Sequence, residues 1–138
     1  MAKKKSTIVP FLVASLTCDV AVPDPTTGKK NLIGVFNKLF VRSFPASRPL
    51  WVYVKISDAE GFYGVRVRVV HSKTSHAVCE ATGELTVNNR LESFDFLVPV
   101  YPFIATETGR YEFQIWMNDN LIGTPFIDVV TAAGSADS

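Results

Sequence analysis

Every second residue over positions 111–117 is large and apolar: Tyr111, Phe113, Ile115 and Met117 alternate with Glu112, Gln114 and Trp116. A repeat of two belongs to an extended strand, whose successive side chains point to opposite faces; a helix repeats every three to four residues. The same alternation sets Leu50, Val52, Val54 and Ile56 against Trp51, Tyr53, Lys55 and Ser57. It continues with Val65, Val67 and Val69 against Arg66 and Arg68. No segment carries a helical repeat. A chain written this way can only build sheets whose apolar faces share an interior.

Turn residues divide the rest into further strands. Residues 11–20 are apolar and end at Pro23-Asp24-Pro25-Thr26-Thr27-Gly28, where proline and glycine supply turn dihedrals. Residues 31–41 read as one strand, with Gly34 marking a bulge or a close approach. Phe44-Pro45 through Pro49 reads as a rigid connection. Strands are expected at 50–57 and 62–69, closed into a hairpin by Asp58-Ala59-Glu60-Gly61. Others are expected at 77–87 and 91–100, followed by a loop through Tyr101-Pro102-Phe103. The last hairpin, residues 111–117 and 121–130, turns at Asn118-Asp119-Asn120. In the middle hairpin Val54 should face Val65, Val52 face Val67, and Leu50 face Val69. Tyr53 then lies opposite Arg66 and Trp51 opposite Arg68 on the outer side. These segments predict one all-β domain over residues 8–130. It should be an immunoglobulin-like antiparallel β-sandwich of about eight strands, with a basic tail at 1–7 and a polar tail at 131–138.

Two resemblances bear on this reading. Glu107-x-Gly109-x-Tyr111-x-Phe113 resembles the penultimate strand of an immunoglobulin-like domain, where the tyrosine sits at a corner. Phe113 stands where that pattern has cysteine, so the antibody-type disulfide is not implied. The order Leu16-Thr17-Cys18-Asp19, Asn31-Leu32-Ile33-Gly34-Val35-Phe36, Phe44-Pro45 and Gly109-x-Tyr111-x-Phe113 is similar to an uncharacterised family of small bacterial proteins. That resemblance implies one cytoplasmic bacterial domain and transfers no functional residue.

Among the 138 residues, 47% are hydrophobic, which excludes global disorder, and the net charge of +1 favours neither nucleic acid nor an acidic membrane. Lys3-Lys4-Lys5 before the apolar residues 8–13 imitates a secretory signal, but Pro10 interrupts the run and no small-x-small cleavage site follows. With only Cys18 and Cys79 in the chain, a reducing cytoplasm is the expected location. One bridge between facing sheets is the alternative.

No residue pattern points to catalysis. His71, His76, Cys79 and Glu80 form the one cluster of metal-ligand types, yet zinc wants paired ligands at tight spacing, and His76 and Cys79 should point to opposite faces. The two histidines read as loop residues and Cys79 as a core thiol. Asp19, Asp24, Asp58, Glu60, Asp119 and Asp128 could ligate calcium at loop ends, but no third carboxylate joins Asp58 and Glu60. Neither a Gly-x-Ser-x-Gly elbow nor a phosphate-cradling glycine loop is present. No metal and no cofactor is expected. The best candidate for function is the outer face expected to gather Trp51, Tyr53, Lys55, Arg66 and Arg68, with Trp116, Gln114 and Glu112 as a weaker second face. Aromatics and arginine are the types enriched at interface hot spots. The expected function is a non-catalytic protein-binding or self-associating module acting through that face or an edge strand. Sugar stacking on Trp51 and Tyr53 is the alternative, and a metal enzyme at His71, His76 and Cys79 a more distant one.

Overall fold

The computed structural model describes residues 4–131. Its strands are β1 (Phe11–Pro23), β2 (Lys30–Val35), β3 (Lys38–Val41), β4 (Ala46–Ser57), β5 (Gly61–His71), β6 (Ala77–Val87), β7 (Phe94–Ala105), β8 (Gly109–Met117), β9 (Asn120–Gly123) and β10 (Phe126–Thr131). They form two sheets, one ordered β2-β1-β4-β7 and the other β3-β10-β8-β5-β6, with β9 beside β8. Every pairing is antiparallel except β3 with β10. No helix among the described residues is long and apolar enough to cross a membrane.

The two-residue alternation sends its side chains where expected. Val52, Val54, Ile56, Val67, Val69, Phe113, Ile115 and Met117 are completely buried in one core cluster. Burying each such side chain contributes about 1.5–3 kcal/mol. Phe103 stacks on Phe113, with ring centroids 6.1 Å apart, and meets Tyr111 edge-on at 5.4 Å.

Strand neighbours differ from the expected ones in a systematic way. β4 pairs with β1 and β7, whereas β5 pairs with β6 and β8. The expected hairpin between β4 and β5 therefore does not form. Asp58, at φ 60°, and the buried Ala59 carry the chain across from one sheet to the other. The valines of β4 and β5 meet face to face through the core instead of side by side. Residues 31–41 divide likewise. Phe36 N donates to Thr17 O (2.9 Å) in one sheet, and Asn37 O accepts from Asp128 N (3.0 Å) in the other. The chain changes sheets between those two residues. The last expected strand also divides, at Thr124-Pro125, into β9 and β10; for these reasons the described residues hold ten strands. β7 runs on through Tyr101-Pro102-Phe103, where a loop was expected, because Phe103 is an inward core residue paired with Arg48.

At the start of the chain, Lys5 bridges to Phe62, Ser6 N donates to Phe62 O (2.9 Å) and Ser6 Oγ donates to Glu60 O (2.6 Å). The expected basic tail is thus docked at Lys5 and Ser6. Thr131 lies within β10, and the remainder of the expected polar tail falls outside the described residues.

Tyr111 closes the bend between β7 and β8. Its hydroxyl donates to Glu107 O (2.7 Å) and accepts from Thr106 N (3.1 Å) and Glu107 N (3.2 Å). His71 packs edge-on against its ring at 4.8 Å. Gly109 is needed here for two reasons: its φ is +132°, and a Cβ would lie 2.6 Å from His71 Nε2.

Candidate functional site

The β1–β2 hairpin is the least conventional part of the molecule. Its tip is a compact turn: Asp24 Oδ1 accepts from Thr26 N (2.8 Å), and Gly28 N donates to Asp24 O (2.8 Å). The amides of Thr26 and Thr27, both donating to that carboxylate oxygen, hold the Asp24 carboxyl below its ordinary range. β1 pairs with β4 only as far as Cys18, opposite Trp51. A flat continuation would carry Lys30, at the far end of the hairpin, well away from Asp95 on β7. Instead Lys30 Nζ lies 2.7 Å from Asp95 Oδ1, so the arm curls back over the outer face of its own sheet. Gly34 sits at the bend with φ +72°, where a Cβ would collide with the Asp19 carboxylate. Asp19 is itself ion-paired to Arg48 at the start of β4.

The arm rests on a small polar relay. Tyr53 Oη donates to Asp95 Oδ2 (2.8 Å) while Lys30 holds the other oxygen. Burial opposes ionisation of Asp95, but the Lys30 and Tyr53 hydrogen bonds outweigh it and keep the carboxyl below its ordinary range. Burial, followed by the Asp95 hydrogen bond, pushes Tyr53 up to about 12.

The other side of the arm faces water. Val20 is 44% exposed, Val22 46%, Ile33 58% and Val35 52%, and Val20 pairs directly with Ile33. Scattered exposed aliphatics are ordinary; four on the two strands of one hairpin are a larger apolar surface than single side chains make. Among the described residues β2 pairs only with β1, which leaves its other edge without a strand partner there. Sequence reasoning missed this site, although the signal was there: Val20 and Val22 before the turn, and Ile33 and Val35 after it, repeat at the spacing of two.

The residues expected to form one aromatic and basic face lie on two. Trp51, Tyr53 and Lys55 occupy the outer side of the four-stranded sheet; Arg66 and Arg68 lie on the outer side of the six-stranded sheet, across the whole sandwich. That follows from the crossover between β4 and β5. Trp51 is half-buried beside the fully buried Cys18, and Tyr53 is committed to Asp95. On the other surface Arg66 is brought together with Trp116, its guanidinium 5.3 Å from the ring centroid, and pairs with Glu80 at 3.5 Å. Arg68 lies opposite Gln114 in the register, and Glu112 lies opposite Phe126 on the same strand pair.

The metal-ligand types do not converge. Among the described residues no group of three or more His, Cys, Asp or Glu side chains is placed to hold an ion. His71 is buried at the end of β5, not in a loop. Lys73 N donates to its Nδ1 (3.2 Å), so Nε2 carries the proton and donates to Thr108 O (2.9 Å). Both thiols are free. Burial, then the neighbouring Asp19 charge, raises the Cys18 thiol, and burial pushes Cys79 up to about 11. Thiols so shifted carry almost no thiolate at neutral pH and are poor nucleophiles. Of the calcium candidates, Asp58 pairs with Arg90 at 2.6 Å, Asp128 with Arg110 at 3.1 Å and Asp19 with Arg48.

Two packed sheets with a folded-back arm define an all-β sandwich. A family of unknown function (DUF6941) matches residues 13–130, and the chain belongs to that family. No curated protein matches it closely enough to count as a relative. Among solved structures it is similar to two of a glycosyl hydrolase family 2 member from Bacteroides cellulosilyticus, the first from strain DSM 14838. The identities are 13% and 15%, each with a TM-score of 0.40. The matches cover 64% of this chain but only 13% and 12% of those chains, and a superposition this partial carries no functional argument.

Proposed function

We propose that this chain is a non-catalytic binding or assembly module that associates with another protein, or with copies of itself, through the β1–β2 arm. One observation carries the reading: Val20, Val22, Ile33 and Val35 present a continuous aliphatic face to water beside an open strand edge. Aliphatic side chains left in water cost free energy that a partner surface recovers, and an open edge offers backbone hydrogen bonds in register. The raised thiols of Cys18 and Cys79 support a module without a cysteine nucleophile. Their unbridged state is consistent with the bacterial cytoplasm that the family resemblance implies. Sugar stacking on Trp51 and Tyr53 has less support, because the arm already covers that face and Tyr53 is bonded to Asp95.

The test is sedimentation velocity across a concentration series, paired with cross-linking of the intact chain in its native extract, for wild type and Ile33→Asp. Concentration-dependent growth or a discrete cross-linked partner that Ile33→Asp abolishes supports the proposal. A wild type that stays monomeric and cross-links no differently from Ile33→Asp overturns it.

A further inference from the structure

The opposite flank of the sandwich holds a second feature, independent of the arm. β6 is the last strand of one sheet and β7 the last of the other; the two run close together along this flank without joining in one ladder, and Cys79 on β6 meets the backbone of Ile104 on β7. In register, Gly83 pairs with Val65, a core residue, so the side chain that Gly83 lacks would point inward. Flanking residues Ala81 and Leu85 pack against the core, yet a Cβ placed on Gly83 meets nothing within 4 Å. Across from it stand the inward rows of β7: Phe94 pairs with Ile56, Phe96 with Val54 and Val98 with Val52, all core positions on β4. Phe94 and Phe96 lie 6.2 Å apart, tilted at 38°. Together with Val65 and Leu85 they line a cavity of about 170 Å³ that opens at the rim formed by Thr82 and Glu84.

We infer that this slot is a binding site for a small, uncharged, single-ring aromatic molecule. Its volume matches a cavity of roughly 150 Å³ that takes up benzene when its walls are apolar. Its aromatic walls offer the offset and edge contacts that rings favour. An anionic substituent is disfavoured in either orientation: among Phe94, Phe96, Val65 and Val98 it would lose its water and gain no partner, and at the mouth it would meet the Glu84 carboxylate. A hydroxyl on the ring is accommodated at the mouth of the slot, where Thr82 and Glu84 supply polar groups. Well-packed interiors rarely leave such a gap, and a glycine inside a strand weakens it, so Gly83 gives up stability to keep the slot open.

The experiment is a titration of the full chain with p-cresol, followed by methyl shifts of Val65, Leu85 and Val98, with 4-methylbenzoate in parallel. Saturable shifts confined to those methyls are expected with p-cresol and none with 4-methylbenzoate. Gly83→Val, built into open space on a strand, is expected to melt at a higher temperature than wild type and to bind p-cresol at least tenfold more weakly. Gly83→Ala should fall between the two. Absence of saturable shifts in the wild type, undiminished binding by Gly83→Val, or equal binding of 4-methylbenzoate would overturn the proposal. Neither Gly83 variant should alter sedimentation, so failure here leaves the arm's role to be judged separately.

Discussion

The strand pair β5–β8 and the hairpin β1–β2 are both antiparallel, both rich in alternating aliphatics, and opposite in fate. Val67, Val69, Phe113 and Ile115 on the first are completely buried, while Val20, Val22, Ile33 and Val35 on the second are about half in water. What separates them is what lies above the apolar face. β5 and β8 sit mid-sheet with a second sheet opposite, whereas the arm bends away at Cys18 and presents one face to its own sheet and the other to solvent. Apolar periodicity alone therefore does not distinguish a core row from a row left in water. The distinction is energetic, and the same substitution in the two places should expose it.

The largest expected contrast is Ile115→Ala against Ile33→Ala. The first leaves a cavity in a closed core and should cost about 2–5 kcal/mol in urea denaturation. The second should stay within about 0.5 kcal/mol while weakening association. Comparable losses at both sites would mean that the arm is core after all. Next is Tyr111→Phe, which strands the amides of Thr106 and Glu107 and the Glu107 carbonyl at the bend. A loss of about 1–3 kcal/mol is expected, read as a shift in the urea midpoint.

Smaller effects sharpen the arm's side of the comparison. Asp95→Asn should loosen the arm by about 1 kcal/mol or less, visible as faster amide exchange at Val20 and Ile33 with the exchange of Val67 unchanged. Acid should act in the same direction. The Asp95 carboxyl sits below its ordinary value of 3.8 in the folded state, so its stabilisation is complete above that value and is lost as pH falls through the lower folded one. The groups facing it are Lys30, Tyr53 and Lys55, and the loss comes from protonation of the carboxylate they hold. Protection of the arm's amides, taken relative to the intrinsic exchange rate at each pH, should therefore fall below about pH 4 before that of the core does. The smallest effect belongs to Arg66→Ala, where a half-exposed ion pair with Glu80 and a ring contact with Trp116 are given up. A change within about 0.5 kcal/mol is expected.

Much of the fold was legible in the chain because a period of two has one structural meaning. It assigned Val52, Val54, Val67, Val69, Phe113, Ile115 and Met117 to the interior, and the pattern around Gly109 and Tyr111 marked a corner that the hydroxyl of Tyr111 does close. Alternation is silent, however, about which strand lies alongside which. Two apolar faces are buried equally well side by side within one sheet or face to face between two, and Asp58-Ala59-Glu60-Gly61 serves either connection. Only the tertiary structure chose the crossover, and with it sent Trp51 and Tyr53 to one outer surface and Arg66 and Arg68 to the other. The same holds for the arm and the slot. Val20, Ile33 and Gly83 are plain in the sequence, but whether an aliphatic row is covered, or a missing side chain leaves a void, depends on distant strands that no local pattern encodes.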